Sequence, residues 1–188
     1  MVNKKQLILV EAKRLFGCYG YLGFTLKQLA QACHMTSPAL YYFYTSKAEL
    51  FKDCVLSEIT IRQAVFERSM AQATTLPEFA HAMAHDIIEV CASAAFRVGQ
   101  AMRETVHLPL EMQQELRTAW DTQMLAPVEQ FLARMLPEPP SQVSYRLLAT
   151  YVLSLATFSA VYAEDYPPEE LAALIEAIAT GLQTAAVV

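Results

Sequence analysis

Glycine is scarce in this chain, with five in 188 residues, which argues against a sheet-rich fold and its many left-handed turns. No stretch sustains the apolar–polar alternation of a half-buried strand. Cysteine is sparse as well: Cys18, Cys33, Cys54 and Cys91 form no CxxC pair. That spacing speaks against a zinc ribbon or a dithiol redox motif and leaves buried or reduced thiols, as expected of a cytoplasmic protein. The N-terminus has no apolar signal core. A continuous membrane span is also lacking. The uncharged stretch from Leu147 to Ala163 has 17 residues and carries Thr150, Tyr151, Ser154, Thr157, Ser159 and Tyr162. A span needs about 20 predominantly apolar residues, so this stretch reads as a buried helix and no membrane partner is expected. No Ser/His/Asp or Cys/His arrangement for nucleophilic catalysis is legible either.

Lysine is absent beyond residue 52. Residues 1–52 carry seven basic side chains (Lys4, Lys5, Lys13, Arg14, Lys27, Lys47, Lys52) against Glu11 and Glu49, a net +5. The remainder carries seven arginines against 17 acidic residues, a net −10. A basic end joined to an acidic body suits a polyanionic partner at one end only.

What is present is helical. With 54% hydrophobic and 18% charged residues, the chain can bury a sizeable core. Apolar residues recur at helical spacing throughout, so the expected class is all-α with about nine helices. The first helix is expected over Lys4–Tyr19, with Ile8, Ala12, Leu15, Phe16 and Tyr19 inward and Gly17, Gly20 and Gly23 ending it. A second starts at Thr25, with Gln28 as capping-box partner and Phe24 and Leu29 as a hydrophobic staple. Its buried face is Leu26, Leu29, Ala30 and Cys33. After a three-residue joint (Cys33, His34, Met35), Thr36 caps a third helix, Ser37 to Phe43, with Pro38 in its first turn. Ser46 caps a fourth, closed by Glu49 and running to about Ala73. Two-turn helices are marginal alone. Packed on one another through a tight turn, they form a helix-turn-helix whose second helix can enter a DNA major groove. Further helices are expected to start at Thr75-Pro77-Glu78, Pro109 and Pro167-Pro168. Pro127 should kink or divide its segment, and Pro137, Pro139 and Pro140 make a break.

Phe24 to Leu50 reads FTLKQLAQACHMTSPALYYFYTSKAEL. This run resembles the TetR/AcrR family of bacterial transcriptional regulators in Thr25 opening the second helix, the LAQ run, Thr36-Ser37-Pro38, the LYYFY cluster and Ser46-Lys47 followed by Glu49-Leu50. The likeness reaches back through Leu15-Phe16 and Gly20-Tyr21. It implies a DNA-binding domain over 1–46 and a helical ligand-binding and dimerisation domain over 47–188. Two positions depart from the pattern. His34 stands where the family usually has glycine, at a left-handed turn that strains a residue with a side chain. Phe43 stands where histidine is frequent.

The resemblance and the chemistry together give the expected DNA contacts. Ser37, Pro38 and Ala39 are short enough to let the third helix approach base edges, and Pro38 and Ala39 suit thymine methyls. Phe43 lies at the groove. Thr36, Tyr41 and Tyr42 are expected on phosphates. Lys47 and Thr25 sit at helix N-termini suited to phosphate. Lys27 reaches a base or the backbone, and Lys4 and Lys5 form an N-terminal arm. Leu40 and Tyr44 are expected in the core.

In the acidic body, Leu171, Leu174, Ile175, Ile178 and Leu182 share one helical stripe. The preceding helix is apolar over most of its circumference, with Leu148, Tyr151, Val152, Leu155, Phe158 and Tyr162. Such a helix needs cover on two sides, and the family pattern implies a four-helix homodimer interface. The middle helices would enclose a small-molecule inducer, with Cys91, Phe96, Met102, His107, Met112, Trp120, Met124 and Phe158 as candidates for lining or for ordinary core. No cofactor is called for. A rival reading is a di-iron helical enzyme built on Glu78-x-x-His81 and Glu104-x-x-His107, with Glu89 and Glu129 as further ligands. A regulatory zinc on His81 and His85 is a smaller variant.

Overall fold

A computed structural model describes residues 3–79, 81–83, 85, 96, 98–136, 143–162, 170, 173–174 and 177, with side chains described only to Ser154 in the last long helix. All regular structure among these residues is helical. The α-helices whose bounds are described are α1 (Lys4–Tyr19), α2 (Leu26–Ala32), α3 (Ser37–Tyr41), α4 (Lys47–Gln72), α5 (Val98–Glu104), α6 (Leu110–Trp120), α7 (Ala126–Met135) and α8 (Tyr145–Tyr162), and residues 76–79, 81–83 and 85 are helical as well. A 3-10 turn (Thr105–His107) follows α5, and a π-helical stretch (Asp121–Leu125) joins α6 to α7. Pro127 falls in the first turn of α7. It therefore divides the segment, because its ring clashes with the carbonyl four residues earlier.

The chain forms two compact units: residues 1–58 with 94–118, and residues 59–93 with 119–188. In the first, Ile8, Ala12, Leu15 and Phe16 of α1 are buried against a core that includes Phe24, Leu29, Leu40, Leu50 and Phe51. Phe16 makes edge contacts with Phe24 at 4.7 Å and Phe51 at 4.8 Å. Each such ring contributes roughly 1.5–3 kcal/mol by leaving water. Tyr19 was expected inward but is 59% exposed, because α1 is in its last turn there. Gly17 lies inside α1, which runs on to Tyr19 and ends at Gly20. Gly20 has φ +69° and ψ 179°, a region that only glycine occupies without strain. A Cβ on Gly23 would lie 1.9 Å from the Tyr19 carbonyl oxygen, so that position also excludes a side chain.

A part-buried ion pair ties α1 to α4: Lys13 Nζ donates to Glu58 at 2.8 Å and to the Ser57 hydroxyl at 2.9 Å. Truncating Lys13 would take a charged partner from a buried carboxylate, which is costly. In the second unit, α7 packs on α8, and Phe79 meets Phe131 at 4.5 Å. No described helix is long and apolar enough to cross a membrane.

Candidate nucleic-acid interface

Each short helix of the N-terminal module is fastened at its ends. Thr25 Oγ1 accepts the Gln28 N–H, and Gln28 Oε1 accepts the Thr25 N–H at 2.7 Å, a complete capping box. Thr36 Oγ1 accepts the Ala39 N–H. At α4, Ser46 Oγ accepts the Glu49 N–H at 3.1 Å. The Glu49 carboxylate does not return to Ser46, as the capping-box expectation had it. It reaches one residue farther and accepts both the N–H and hydroxyl of Thr45, at 2.9 and 2.8 Å. Those two bonds hold its pKa below the ordinary value. The same threonine–glutamate arrangement recurs at Thr74 and Glu78.

The joint between α2 and α3 has a full set of turn bonds. The Met35 N–H donates to the Ala30 carbonyl at 2.8 Å and the His34 N–H to the Gln31 carbonyl at 3.0 Å. This pair closes a helix end around a left-handed residue. That residue is His34, with φ 54°, the one non-glycine with positive φ among the described residues. The strain read from the sequence is therefore present, of order 1–2 kcal/mol for a side chain in that region.

α3 separates its two faces sharply. Leu40 is fully buried, whereas Tyr42 is 86% and Tyr41 51% exposed. The helix is shorter than expected and ends at Tyr41, with Tyr42 and Phe43 in the following turn. The Tyr42 and Phe43 rings meet edge-on at 5.5 Å. Pro38 and Thr36 are exposed, and Ser37, Ala39 and Phe43 are half-buried. Tyr44 is buried, and its hydroxyl donates to Asp53 at 3.2 Å. Burial first, then the Asp53 charge, pushes its phenol well above the ordinary range.

The cations divide into held and free. Lys4 and Lys27 are exposed, as is Thr25. Lys5, expected as part of an N-terminal arm, pairs with Asp53 at 3.3 Å and lies over the Tyr44 ring at 5.3 Å. Lys47 is half-buried. Its ammonium donates to the Phe24 carbonyl and sits over the Phe24 and Tyr21 rings at 4.3 and 5.3 Å. Burial lowers its pKa. In this conformation Lys47 joins the start of α4 to the residue preceding α2. The sequence offered no signal for that role.

Comparison with known proteins supplies the name of this arrangement. The profile of the bacterial regulatory proteins of the tetR family matches residues 8–54, a span that contains all of α2, α3 and the turn between them. Over those residues the chain is similar to the tetR family. It is a DNA-binding regulator. No curated protein matches the sequence. Among solved structures, the tetR-family regulator PfmR from Thermus thermophilus aligns at 24% identity and TM-score 0.71, over 93% of this chain and 98% of that one. A tetR-family regulator from Agrobacterium tumefaciens aligns at 17% identity and TM-score 0.72, over 96% of each chain. AibR, solved in complex with isovaleryl coenzyme A and operator DNA, aligns at 18% identity and TM-score 0.70, over 94% of this chain and 97% of that one. These likenesses extend the shared fold well beyond residue 54.

The remaining candidates of the regulator fall as follows. In the first unit, Phe96 is buried beside Phe51 at 6.0 Å and Phe16 at 6.3 Å, and so belongs to the core. Met102 and Met112 are half-buried, and His107 is exposed and stacked on Tyr21 at 5.7 Å. In the second unit, Met124 is buried and Trp120 half-buried. Leu148 is buried and Val152 half-buried, while Leu147 and Tyr151 on the same helix are 59% and 47% exposed and Leu174 is exposed. Cys91, Leu171, Ile175, Ile178 and Leu182, and the side chains of Leu155 and Phe158, lie outside the described residues. Of the Glu-x-x-His pairs, Glu78 is engaged as a helix-start acceptor, and Glu104 accepts the Tyr21 N–H at 2.9 Å. Neither carboxylate is held ready for a metal, and the di-iron reading is not favoured.

Proposed function

We propose that the chain is a cytoplasmic repressor that binds a pseudo-palindromic operator as a homodimer and leaves it when a small-molecule inducer binds. The observation that carries this reading is α3, whose Leu40 is anchored in the core while Tyr41 and, just past its end, Tyr42 face solvent. In a tetR-family domain such a helix enters the major groove, and its short first turn meets the bases. Residues 1–46 form the reading module and 47–188 the ligand and dimer body. Ser37, Pro38 and Ala39 read base edges, with Phe43 beside them. Thr25, Thr36, Tyr41 and Tyr42 contact phosphates. Lys4 and Lys27 are exposed cations available to the duplex, whereas Lys5 and Lys47 must first leave Asp53 and the Phe24 carbonyl.

Exposed Leu147, Tyr151 and Leu174 support burial of the C-terminal helices by a second copy. One short helix reads few bases, so two heads on a two-fold site multiply specificity. AibR, a similar structure bound to both an acyl-coenzyme A and operator DNA, supports pairing of DNA binding with ligand response. An apolar or aromatic inducer fits the methionine-rich body.

The deciding experiment is selection of bound fragments from a random duplex pool and from genomic DNA. A two-fold-symmetric site, bound by a dimer and weakened steeply by salt, is the expected result. Recovery of no duplex, or binding by a monomer, would sink the proposal.

A further inference from the structure

Residues 94–118 lie outside the reading module yet pack within the same compact unit as 1–58. Beside the Phe96 contacts with Phe16 and Phe51 and the Lys52–Glu115 ion pair, two of their side chains meet a single residue, Tyr21, in the turn between α1 and α2. Glu104, the last residue of α5, accepts the Tyr21 N–H through Oε2 at 2.9 Å. Its other oxygen lies 2.7 Å from where a Cβ on Gly20 would stand. His107 ends the 3-10 turn that follows, and its imidazole stacks on the Tyr21 ring at 5.7 Å with planes 10° apart. In a 3-10 turn, side chains three residues apart eclipse one another. The Glu-x-x-His spacing thus puts a carboxylate on the backbone of Tyr21 and an imidazole on its ring. The turn carrying them is braced: Thr105 Oγ1 donates to the Met102 carbonyl at 2.8 Å, and Gln113 Nε2 to the Leu108 carbonyl at 2.9 Å.

Tyr21 passes this constraint on. Its ring packs edge-on against Phe51 at 5.1 Å and forms one wall of the Lys47 ammonium site. Lys47 in turn donates to the Phe24 carbonyl, the residue before the Thr25 cap of α2. Every step joins two residues in direct contact, from the end of α5 to the start of the first reading helix.

We propose that Glu104 and His107 are positioning residues for DNA binding, a two-point clamp on Tyr21 that sets where α2 and α3 stand. The inference rests on the DNA-binding reading above. It gives a role to the one Glu-x-x-His pair that the helix caps do not absorb. It also makes Glu104 and His107 two of the points through which a change in residues 94–118 would reach the reading module.

The test uses the full chain and the duplex that the wild-type protein selects from a random pool. E104A should weaken binding about tenfold and H107A about threefold, within the range by which residues touching no ligand modulate a distant site. E104Q keeps the acceptor oxygen and H107F keeps the stacked ring, so both should stay within about twofold of wild type by the same measure. Amide hydrogen exchange at Tyr21 should accelerate in E104A and stay slow in E104Q. Folded E104A that binds within twofold of wild type, or whose Tyr21 amide stays protected, overturns the clamp while leaving the DNA reading intact. Should E104A fail to fold, the exposed position 107 decides: H107A binding as tightly as H107F overturns it. A wild-type chain that selects no duplex overturns the DNA reading and this inference with it.

Discussion

α2 and α3 have seven and five residues and α8 has 18, and the two kinds of helix are held by different physics. The short pair is fastened locally. Thr25, Gln28 and Thr36 satisfy the free N–H groups at their starts, His34 closes the joint, and Leu29 and Leu40 are fully buried pins. α8 runs through an almost uncharged stretch, buries Leu148, Ala149 and Leu153, and leaves Leu147 and Tyr151 in solvent. A two-turn helix cannot survive on propensity, so its sequence must state its boundaries. The five-turn α8 has a start cap as well, Ser144 Oγ accepting the Leu147 N–H at 3.2 Å, but tertiary packing of its apolar face decides its stability.

Four measurements bear on that contrast. Leu40→Ala, at the pin of α3, should cost about 2–5 kcal/mol and shift the urea unfolding midpoint accordingly. A loss under about 1 kcal/mol, below the usual range for such a truncation, would mean that caps, not the pin, hold the short helix. Tyr151→Glu should leave helix content unchanged and convert dimer to monomer in sedimentation. An unchanged dimer would place the partner elsewhere.

The third measurement is acid unfolding. Because the Thr45 bonds lower the Glu49 pKa from 4.5, the carboxylate's stabilisation is complete above that value and is lost as pH falls below it. Glu49→Gln should therefore flatten stability against pH below about 4.5, the ordinary carboxyl range. An unchanged acid limb would remove the cap from the account. The smallest effect is expected of His34→Gly. It relieves the left-handed strain but loosens the unfolded chain, for a net gain of about 0.5–1 kcal/mol. A loss of stability would show that the imidazole itself contributes.

The N-terminal module was legible because its signals are local. A capping box, a proline in a first turn and an apolar i, i+4 pair each act within five residues, and Thr25, Pro38 and Leu29 stand where those rules put them. Glu49 shows the limit, since its carboxylate chose Thr45 over Ser46 on side-chain geometry that spacing alone does not distinguish. Lys5 and Lys47 show a wider one. As sequence they are free cations beside a DNA-reading helix, and their partners, Asp53 and the Phe24 carbonyl, are 48 and 23 residues away.

From the sequence follow the all-helical class, the helix-turn-helix pattern at residues 25–44 on a basic end, and the departure from glycine at His34. These follow from period, charge placement and backbone sterics. Only the tertiary structure decided that Glu104 and His107 meet Tyr21, 83 residues from the first of them. It also decided that Phe96 is core and that two of the lysines expected to contact DNA, Lys5 and Lys47, are already held. Contacts of that kind depend on which surfaces close together when apolar area leaves water, and no local spacing rule carries that information.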